Sequence, residues 1–578
     1  MMMEVLASQG VATMLDVDDI LEEIGGWGLY QKRMYLILCL PSIVAGAAVV
    51  SLSWTGYVME HRCLVPSCEN ATSATYNAWF LNFTTPRDAG QTDPAFPWSE
   101  CQTFQSSVKG QCNASAFDEE KTEGCTQWVY DKSIMENTIV SEFDLSCGED
   151  WLVDLANSLY MVGMLLGSLG FGYISDRFGR KIALMSALLL FGTASTITAF
   201  APNYGTFAAM RLFTGIGGLG TFMITFVLSV EMVSNDVRTF CGFAIELFFS
   251  FGECLVGVLA LWIKDWWILQ LTIALPIFVF VSYWLFVPES IRWLAAEGRD
   301  AQAEKILRHV AEVNGKPFPG RMLQQLDKSQ ASEEKAEEAA AATVSDLFRS
   351  PALRWRTLIV LYQWFVTAMV YFGLAMNSTN LGGNVYLDFI LVQLVDWPSI
   401  ILCIVVLDPW GRKFCSSLCF LLAGAGSIAS GLCSGNEGLE MATVGFALLG
   451  KFGAAGMFAI VFVYGAELFP TDVRNTGIGM SSAAGRIGSI LAPFIAGLGK
   501  DSQVLPMSIF GVLSLVAGVV TLKLPETYGE NLPETLEEAE NFGRNQGLCF
   551  IPCLVARRRR KVENMNAGGA SAAQECSS

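Results

Sequence analysis

Histidine is nearly missing from this chain: His61 and His309 are the two among 578 residues. Both fall outside the long apolar runs, so a histidine proton relay through the interior is not available. Charge is scarce as well. Asp, Glu, Lys and Arg make up 16% of the residues against 52% hydrophobic ones, with a mean hydropathy of +0.42. That balance excludes an ordinary water-soluble globule. A nucleotide-binding loop is lacking too: Gly445-Phe-Ala-Leu-Leu-Gly-Lys451 imitates one but continues with Phe452 where Ser or Thr is needed, inside an apolar run. No nucleophile–histidine arrangement, metal-ligand cluster or nucleic-acid patch stands out, so an enzyme with a cofactor is not the expectation. The net charge of −18 is concentrated in polar segments and reads as solvated surface.

What is present is length, hydrophobicity and a repeat. A spanning helix needs about 20 mainly apolar residues. Such runs occur at roughly 34–58, 154–175, 182–201, 206–232, 239–262, 268–287, 357–375, 385–406, 414–433, 439–465, 475–497 and 504–524, two sets of six. Asp176-Arg-Phe-Gly-Arg-Lys181 and Asp408-Pro-Trp-Gly-Arg-Lys413 sit in matching positions between the second and third run of each set. Three more pairs follow in order: Arg211 with Gly215 and Gly217 against Lys451 with Gly453 and Gly456, Glu231 and Arg238 against Glu467 and Arg474, and Pro288-Glu-Ser290 against Pro525-Glu-Thr527. One half was built twice, an organisation typical of secondary transporters.

Basic residues of short loops stay in the cytoplasm. Arg177, Arg180, Lys181, Arg238, Arg412, Lys413 and Arg474 fall on one side with the cluster Arg557 to Lys561, so both termini are expected to be cytoplasmic. No basic n-region precedes the first run, whose upstream segment is the acidic stretch Asp16 to Glu23, so the first span is the expected insertion signal. The expected divisions are a cytoplasmic N-terminus (1–33), an N-terminal six-helix half (34–287) carrying an outer segment (59–153), a cytoplasmic linker (288–356), a C-terminal half (357–524) and a cytoplasmic tail (525–578). The linker is amphipathic and mixed in charge, from Arg299 to the Glu- and Ala-rich stretch Ser332 to Ala342, and carries no chemistry of its own.

The outer segment holds Cys63, Cys68, Cys101, Cys112, Cys125 and Cys147, which allow up to three disulfides in fifteen pairings. It also holds Asn-x-Ser/Thr sites at Asn70, Asn82 and Asn113, expected to be glycosylated. A fourth, Asn377, lies too close to a span for modification to be expected.

Gly172-x-x-x-Asp-Arg-x-Gly-Arg-Lys181 resembles the signature loop of the major facilitator superfamily. Within it, Pro288-Glu-Ser-Ile-Arg-Trp-Leu294, Glu467-Leu-Phe-Pro-Thr-Asp-Val-Arg-Asn475 and the cysteine-rich outer segment resemble the organic cation, carnitine and organic anion transporters, across about residues 24 to 530. Gln31-Lys-Arg33 and Asn377-Ser-Thr-Asn-Leu-Gly-Gly-Asn384 are most similar to invertebrate organic cation transporter-like members. The resemblance implies an all-α membrane protein of twelve transmembrane helices in two six-helix halves. It also implies a multi-pass carrier in the plasma membrane that works by alternating access, and not an enzyme.

Asp176, Arg177, Arg180, Glu231, Arg238, Asp408, Arg412, Glu467 and Arg474 are candidates for gating. Asp176 and Asp408 are expected to pair with basic groups or helix ends of neighbouring spans, and Glu231 with Arg238 and Glu467 with Arg474 to form matching charge clusters, contacts that hold an outward-facing state or else anchor loops at the membrane surface. Substrate chemistry must come from ionisable residues deep in the spans. Glu246 and Glu253, seven apart on one helix face, Asp388, Asp396, Lys451 and Arg486 are the candidates. Acid predominates and favours a cation, and Trp364 and Tyr371, also seven apart, offer either cation–π walls or packing.

The resemblance places an acid at Asp396 in cation and carnitine carriers, and an arginine at Arg486 in anion and carnitine carriers. Arg486 either receives a carboxylate or neutralises Glu253 or Asp396. Together these residues suit a small organic cation or a zwitterion. An organic anion exchanger using Arg486 and Lys451, or a non-transporting ligand sensor, are the alternatives. The coupling ion is open.

Cys549 and Cys553 beside Arg557 to Lys561 form either a palmitoylated patch on the anionic leaflet or an ordinary tail. Acyl-biotin exchange that labels neither cysteine excludes the lipid anchor.

Overall fold

In hydrocarbon every backbone N–H and C=O must be satisfied within the chain, which makes helices of the apolar runs. The computed structural model describes residues 17–546 apart from 88–95, 108–109, 319–344, 437, 471–472, 501, 503, 531, 534 and 545. The stretch Ser332 to Ala342 and the tail cysteines with their basic neighbours lie outside the described residues.

Among the described residues twelve helices are long and apolar enough to cross a membrane: Leu29–Thr55, Cys147–Phe178, Arg180–Ala199, Tyr204–Glu231, Asn235–Ala260, Trp266–Phe286, Pro351–Asn380, Val385–Trp410, Arg412–Cys433, Glu440–Leu468, Thr476–Gly497 and Val504–Thr521. They are called the first to twelfth spans below. The first and seventh begin before their apolar runs because other segments cap their opening turns. Asn314 Oδ1 accepts from Tyr30 N at 3.0 Å, and Glu540 Oε2 accepts from Ala352 N at 3.2 Å. The eighth span changes segment between Leu394 and Asp396. Pro398 follows at once and has no N–H to return to the preceding turn. Asp396 is thereby held at a break in the middle of the protein.

The two halves pack alike. First against fifth, second against fourth and third against sixth in one half correspond to seventh against eleventh, eighth against tenth and ninth against twelfth in the other. The halves meet where the second span faces the eleventh and the fifth faces the eighth. Ser158 Oγ donates to Ile490 O at 2.9 Å and Ser250 Oγ to Gln393 O at 3.0 Å across these seams. Glycine permits the closest crossing inside the first half. A Cβ on Gly252 would overlap the Ile43 carbonyl oxygen, and one on Gly46 the Phe249 carbonyl oxygen.

The segment between the first and second spans forms a small body at one end. Strands His61–Cys63 and Trp128–Tyr130 pair antiparallel, as do Gln102–Ser106 and Phe117–Gly124. Of the fifteen possible pairings the structure has Cys63–Cys125, Cys68–Cys112 and Cys101–Cys147. At its centre the buried Arg62 makes a two-pronged ion pair with Glu69, with Nη2–Oε2 at 2.7 Å, and donates to the Tyr76 carbonyl at 2.7 Å. Asn70, Asn82 and Asn113 are exposed on this body, whereas Asn377 is buried in the turn that ends the seventh span. The end carrying this body is called the disulfide face, and the opposite end the signature face.

Short helices cover the signature face. Val17–Glu23, Ile291–Ala296 and Asp300–Asn314 pack together under the first half through Ile20, Leu21, Leu294, Leu307 and Val310. Leu536–Asn541 covers the seventh span of the second half.

Overpacking of this kind costs typically about 1–3 kcal/mol. Gly252→Ala is therefore expected to lower the melting temperature of the detergent-purified protein by several degrees. Gly148→Ala, in open space on the disulfide face, is expected to leave it unchanged.

Candidate functional site

Buried charge gathers where the fifth span of one half faces the seventh, eighth and tenth of the other. Tyr371 Oη lies 2.7 Å from Asp396 Oδ2 and 3.2 Å from Glu253 Oε2, so one hydroxyl joins carboxylates from both halves. Lys451 Nζ lies 3.3 Å from Asp396 Oδ2 and 3.4 Å from the centroid of the Tyr371 ring. Lys451 and Glu253 are wholly buried and Asp396 is 1% exposed. Ionised groups persist at such depth only when paired or facing a ligand. One oxygen of each acid, Glu253 Oε1 and Asp396 Oδ1, has no hydrogen-bond partner in the protein. Glu246, two turns nearer the signature face, shares the same helix face and is partly exposed.

Four of the expected substrate residues, Glu246, Glu253, Tyr371 and Asp396, are thus brought together. Trp364 is not at their centre. It is buried against Phe462, ring centroids 4.5 Å apart, and reaches Tyr371 through Phe462 and Phe458, so it packs rather than lines the cluster. Asp388 closes a turn at the disulfide end, where its Oδ2 accepts from Gly383 N at 3.1 Å.

Arg486 does not pair with Glu253 or Asp396; the cation beside Asp396 is Lys451. Arg486 is half-buried on the eleventh span and interacts with Tyr160 of the second, whose ring also lies 4.4 Å from the Arg211 guanidinium carbon. Two guanidinium groups, of Arg211 on the fourth span and Arg486 on the eleventh, thus attend Tyr160, while the buried acids lie on the fifth and eighth.

On the signature face each half repeats one charge cluster. Gly179, with φ +98°, and Gly411, with φ +88°, make the tight turns between spans that only glycine adopts freely. Arg180 donates to Glu231 through Nε at 3.3 Å and Nη2 at 3.2 Å, and its Nη1 meets Asp176 at 3.2 Å. In the other half Arg412 meets Glu467 at 3.3 Å and Asp408 at 2.9 Å.

The expected pairs of Glu231 with Arg238 and of Glu467 with Arg474 do not form. Arg238 meets Asp18 at 2.8 Å, an acid that Arg292 also contacts, and Arg474 Nε donates to the Phe469 carbonyl at 3.3 Å. Arg177 is exposed. Each glutamate turns instead to the arginine of its own signature loop.

Two residues absent from the expected set complete the clusters. Glu289 Oε1 accepts from Arg180 N at 2.8 Å and from Lys181 N at 3.2 Å. Glu526 accepts from Arg412 N at 2.8 Å and from Lys413 N at 3.0 Å. Each carboxylate caps the positive N-terminal end of the third or ninth span. Their recurrence in the matched Pro-Glu-Ser and Pro-Glu-Thr was the available signal. Asp18, inside an unrepeated acidic run, offered none.

Two six-helix halves related by a repeat, with buried charges at their seam, define a secondary transporter of the major facilitator class. The sugar (and other) transporter family model matches residues 103–539. The "Organic cation transporter protein" of Drosophila melanogaster is 36% identical over 531 residues, covering 91% of this chain and 95% of its own. Solute carrier family 22 member 1 of Oryctolagus cuniculus is 36% identical over 543 residues, covering 91% and 96%. Solute carrier family 22 member 2 of Homo sapiens is 34% identical over 545 residues, with the same coverage. The xylose transporter XylE of E. coli, in a partially occluded inward open conformation, shares the fold with a TM-score of 0.60 at 18% identity, over 87% of this chain and 100% of its own. The chain belongs to the sugar (and other) transporter family, and within it to the solute carrier family 22 and organic cation transporters, a family of carriers and not of enzymes.

Contacting partners of an ion pair couple by about 0.5–3 kcal/mol in double-mutant cycles. Thermal unfolding of Arg180→Ala, Glu231→Ala and the double variant is expected to show coupling in that range. The same cycle with Arg238 in place of Arg180 is expected to show none.

Proposed function

We propose that this protein is a plasma-membrane carrier for small organic cations or zwitterions, with both termini in the cytoplasm, working by alternating access without a resident cofactor. The observation that carries the reading is the pair of buried carboxylates, Glu253 and Asp396, held by Tyr371 at the seam of the two halves with unpartnered oxygens. A cation entering such a place meets charge in a poorly screening medium. Relatives named for organic cation transport support the same chemistry.

Arg486 favours ligands that also carry a carboxylate, because its guanidinium stands away from the acids and has Tyr160 as its neighbour. The substrate then spans the two sides, its ammonium toward Glu246 and Glu253 and its carboxylate toward Arg486. Lys451, already engaged by Asp396, is a poor second anchor for an organic anion.

The signature clusters work within halves in this reading. Arg180 and Glu231 lie in one half and Arg412 and Glu467 in the other, so neither cluster bolts the halves together. Each instead keeps its half rigid while the seam opens. The contacts that close the seam are at the disulfide face, where Trp54 of the first span stacks on Tyr386 of the eighth at 4.8 Å and meets Phe389 at 5.4 Å.

The test is uptake of radiolabelled tetraethylammonium, carnitine and p-aminohippurate by cells expressing the chain, with Asp396→Asn and Arg486→Ala alongside. Uptake of the first two is expected. Asp396→Asn should reduce both by roughly tenfold or more, the factor of about 1.4 kcal/mol of lost recognition. Arg486→Ala should reduce carnitine more than tetraethylammonium. Uptake of p-aminohippurate alone, lost with Arg486, overturns the reading in favour of an anion exchanger, and binding without net uptake of any probe identifies a ligand sensor.

A further inference from the structure

The central cluster holds one more carboxylate than it has cations. Among the described residues Glu253 and Asp396 stand against Lys451 alone, in a place that water scarcely reaches. The other group facing Glu253 across the seam is Tyr371 of the seventh span, and Glu246 lies on its own helix. The first span, packed beside the fifth, has no Asp, Glu, Lys, Arg or His between Met34 and Thr55.

Hydrogen-bond inventory says which acid is odd. The Tyr371 hydroxyl has one hydrogen to give. Its shorter contact, 2.7 Å, is to Asp396 Oδ2, the oxygen that Lys451 also approaches. With that hydrogen committed to Asp396, the 3.2 Å contact between Tyr371 Oη and Glu253 Oε2 is attractive when Glu253 itself supplies the hydrogen, as a carboxylic acid donating to the phenol oxygen.

We propose that Glu253 carries an exchangeable proton in the substrate-free site, and that a cationic substrate replaces that proton. The inference rests on the cation-carrier reading above and supplies its coupling ion. The O–H bond of Glu253 breaks, the electron pair stays on the carboxylate, and the proton passes to water in the open cleft. Neutral Glu253, Asp396⁻ and Lys451⁺ sum to zero before the exchange. Glu253⁻, Asp396⁻, Lys451⁺ and a monovalent cation sum to zero after it. The seam therefore closes uncharged in both loaded states, which avoids the cost of burying an unbalanced charge. The ionised but empty site carries one negative charge and resists closure, so proton and cation trade places without a leak.

The experiment uses the purified full chain in proteoliposomes with the potential clamped by equal potassium and valinomycin, tetraethylammonium as probe and a pH dye in the lumen. Inward tetraethylammonium is expected to raise lumenal pH at about one proton per cation. A lumen one pH unit more acid should drive about tenfold accumulation, since one unit equals a factor of ten in proton activity. In Glu253→Gln, whose amide can still donate to Tyr371, the proton-to-cation ratio is expected to fall to near zero whatever the rate, and Glu253→Asp should keep a measurable ratio. Tetraethylammonium flux in the unmodified protein with no pH change overturns the proposal while leaving the cation carrier intact, and a ratio near one in Glu253→Gln overturns the assignment to Glu253. Absence even of tetraethylammonium counterflow, with p-aminohippurate exchange present, overturns the cation reading and the proton exchange with it.

Discussion

A charge taken out of water must be met by another charge or by directed dipoles, and the arrangement of this carrier follows from where that demand is satisfied. At the membrane surface it is satisfied twice over. Arg180 and Arg412 each face two acids, and the carboxylates of Glu289 and Glu526 cap the helices that those arginines begin. In the middle of the protein it is satisfied only in part. Lys451 and Tyr371 answer Asp396, and the remaining carboxylate belongs to the opposite half. Stability resides in the saturated clusters, and the unsaturated one is where the proposed cation chemistry is placed.

The distribution also separates what moves from what does not. Within a half, glycine lets backbone lie on backbone, as where Gly252 crosses Ile43, and the surface clusters tie loop to helix end. Between halves the contacts are serine-to-carbonyl hydrogen bonds, aromatic stacking at one end and the central acids. Such contacts break and reform at small cost compared with the repacking of a glycine crossing.

The fold was legible because a twofold repeat multiplies weak signals. One Asp-x-x-Gly-Arg-Lys turn is a motif, and two in matching places are an architecture. That Glu246, Glu253 and Asp396 lie near one another is consistent with their selection from sequence, where charge within an apolar run has few innocent explanations. Pairing was harder to read. Glu231 and Arg238 stand seven apart and look like partners, but Arg238 turns outward to Asp18, more than two hundred residues away in sequence. Trp364 and Tyr371 have the same helical spacing, yet one packs on Phe462 and the other joins two acids. Periodicity fixes the face of a helix, and only the neighbouring helices decide what that face meets. The disulfide connectivity was likewise beyond counting, since three bonds among six cysteines depend on a fold of strands too short to announce themselves.

The small disulfide-bonded body is fastened unequally to the two halves. To the first half it is continuous with two spans, and it adds backbone hydrogen bonds from Glu136 N to Lys264 O at 3.0 Å and from Trp266 N to Asn137 O at 3.2 Å. To the second half it offers the Ile134 carbonyl, which accepts from Tyr386 Oη at 2.6 Å. It is therefore a passenger of the first half with a latch on the second. A rocking motion that parts the halves at this end swings it like a door on a fixed jamb, and any antibody or sugar attached to it travels with that door.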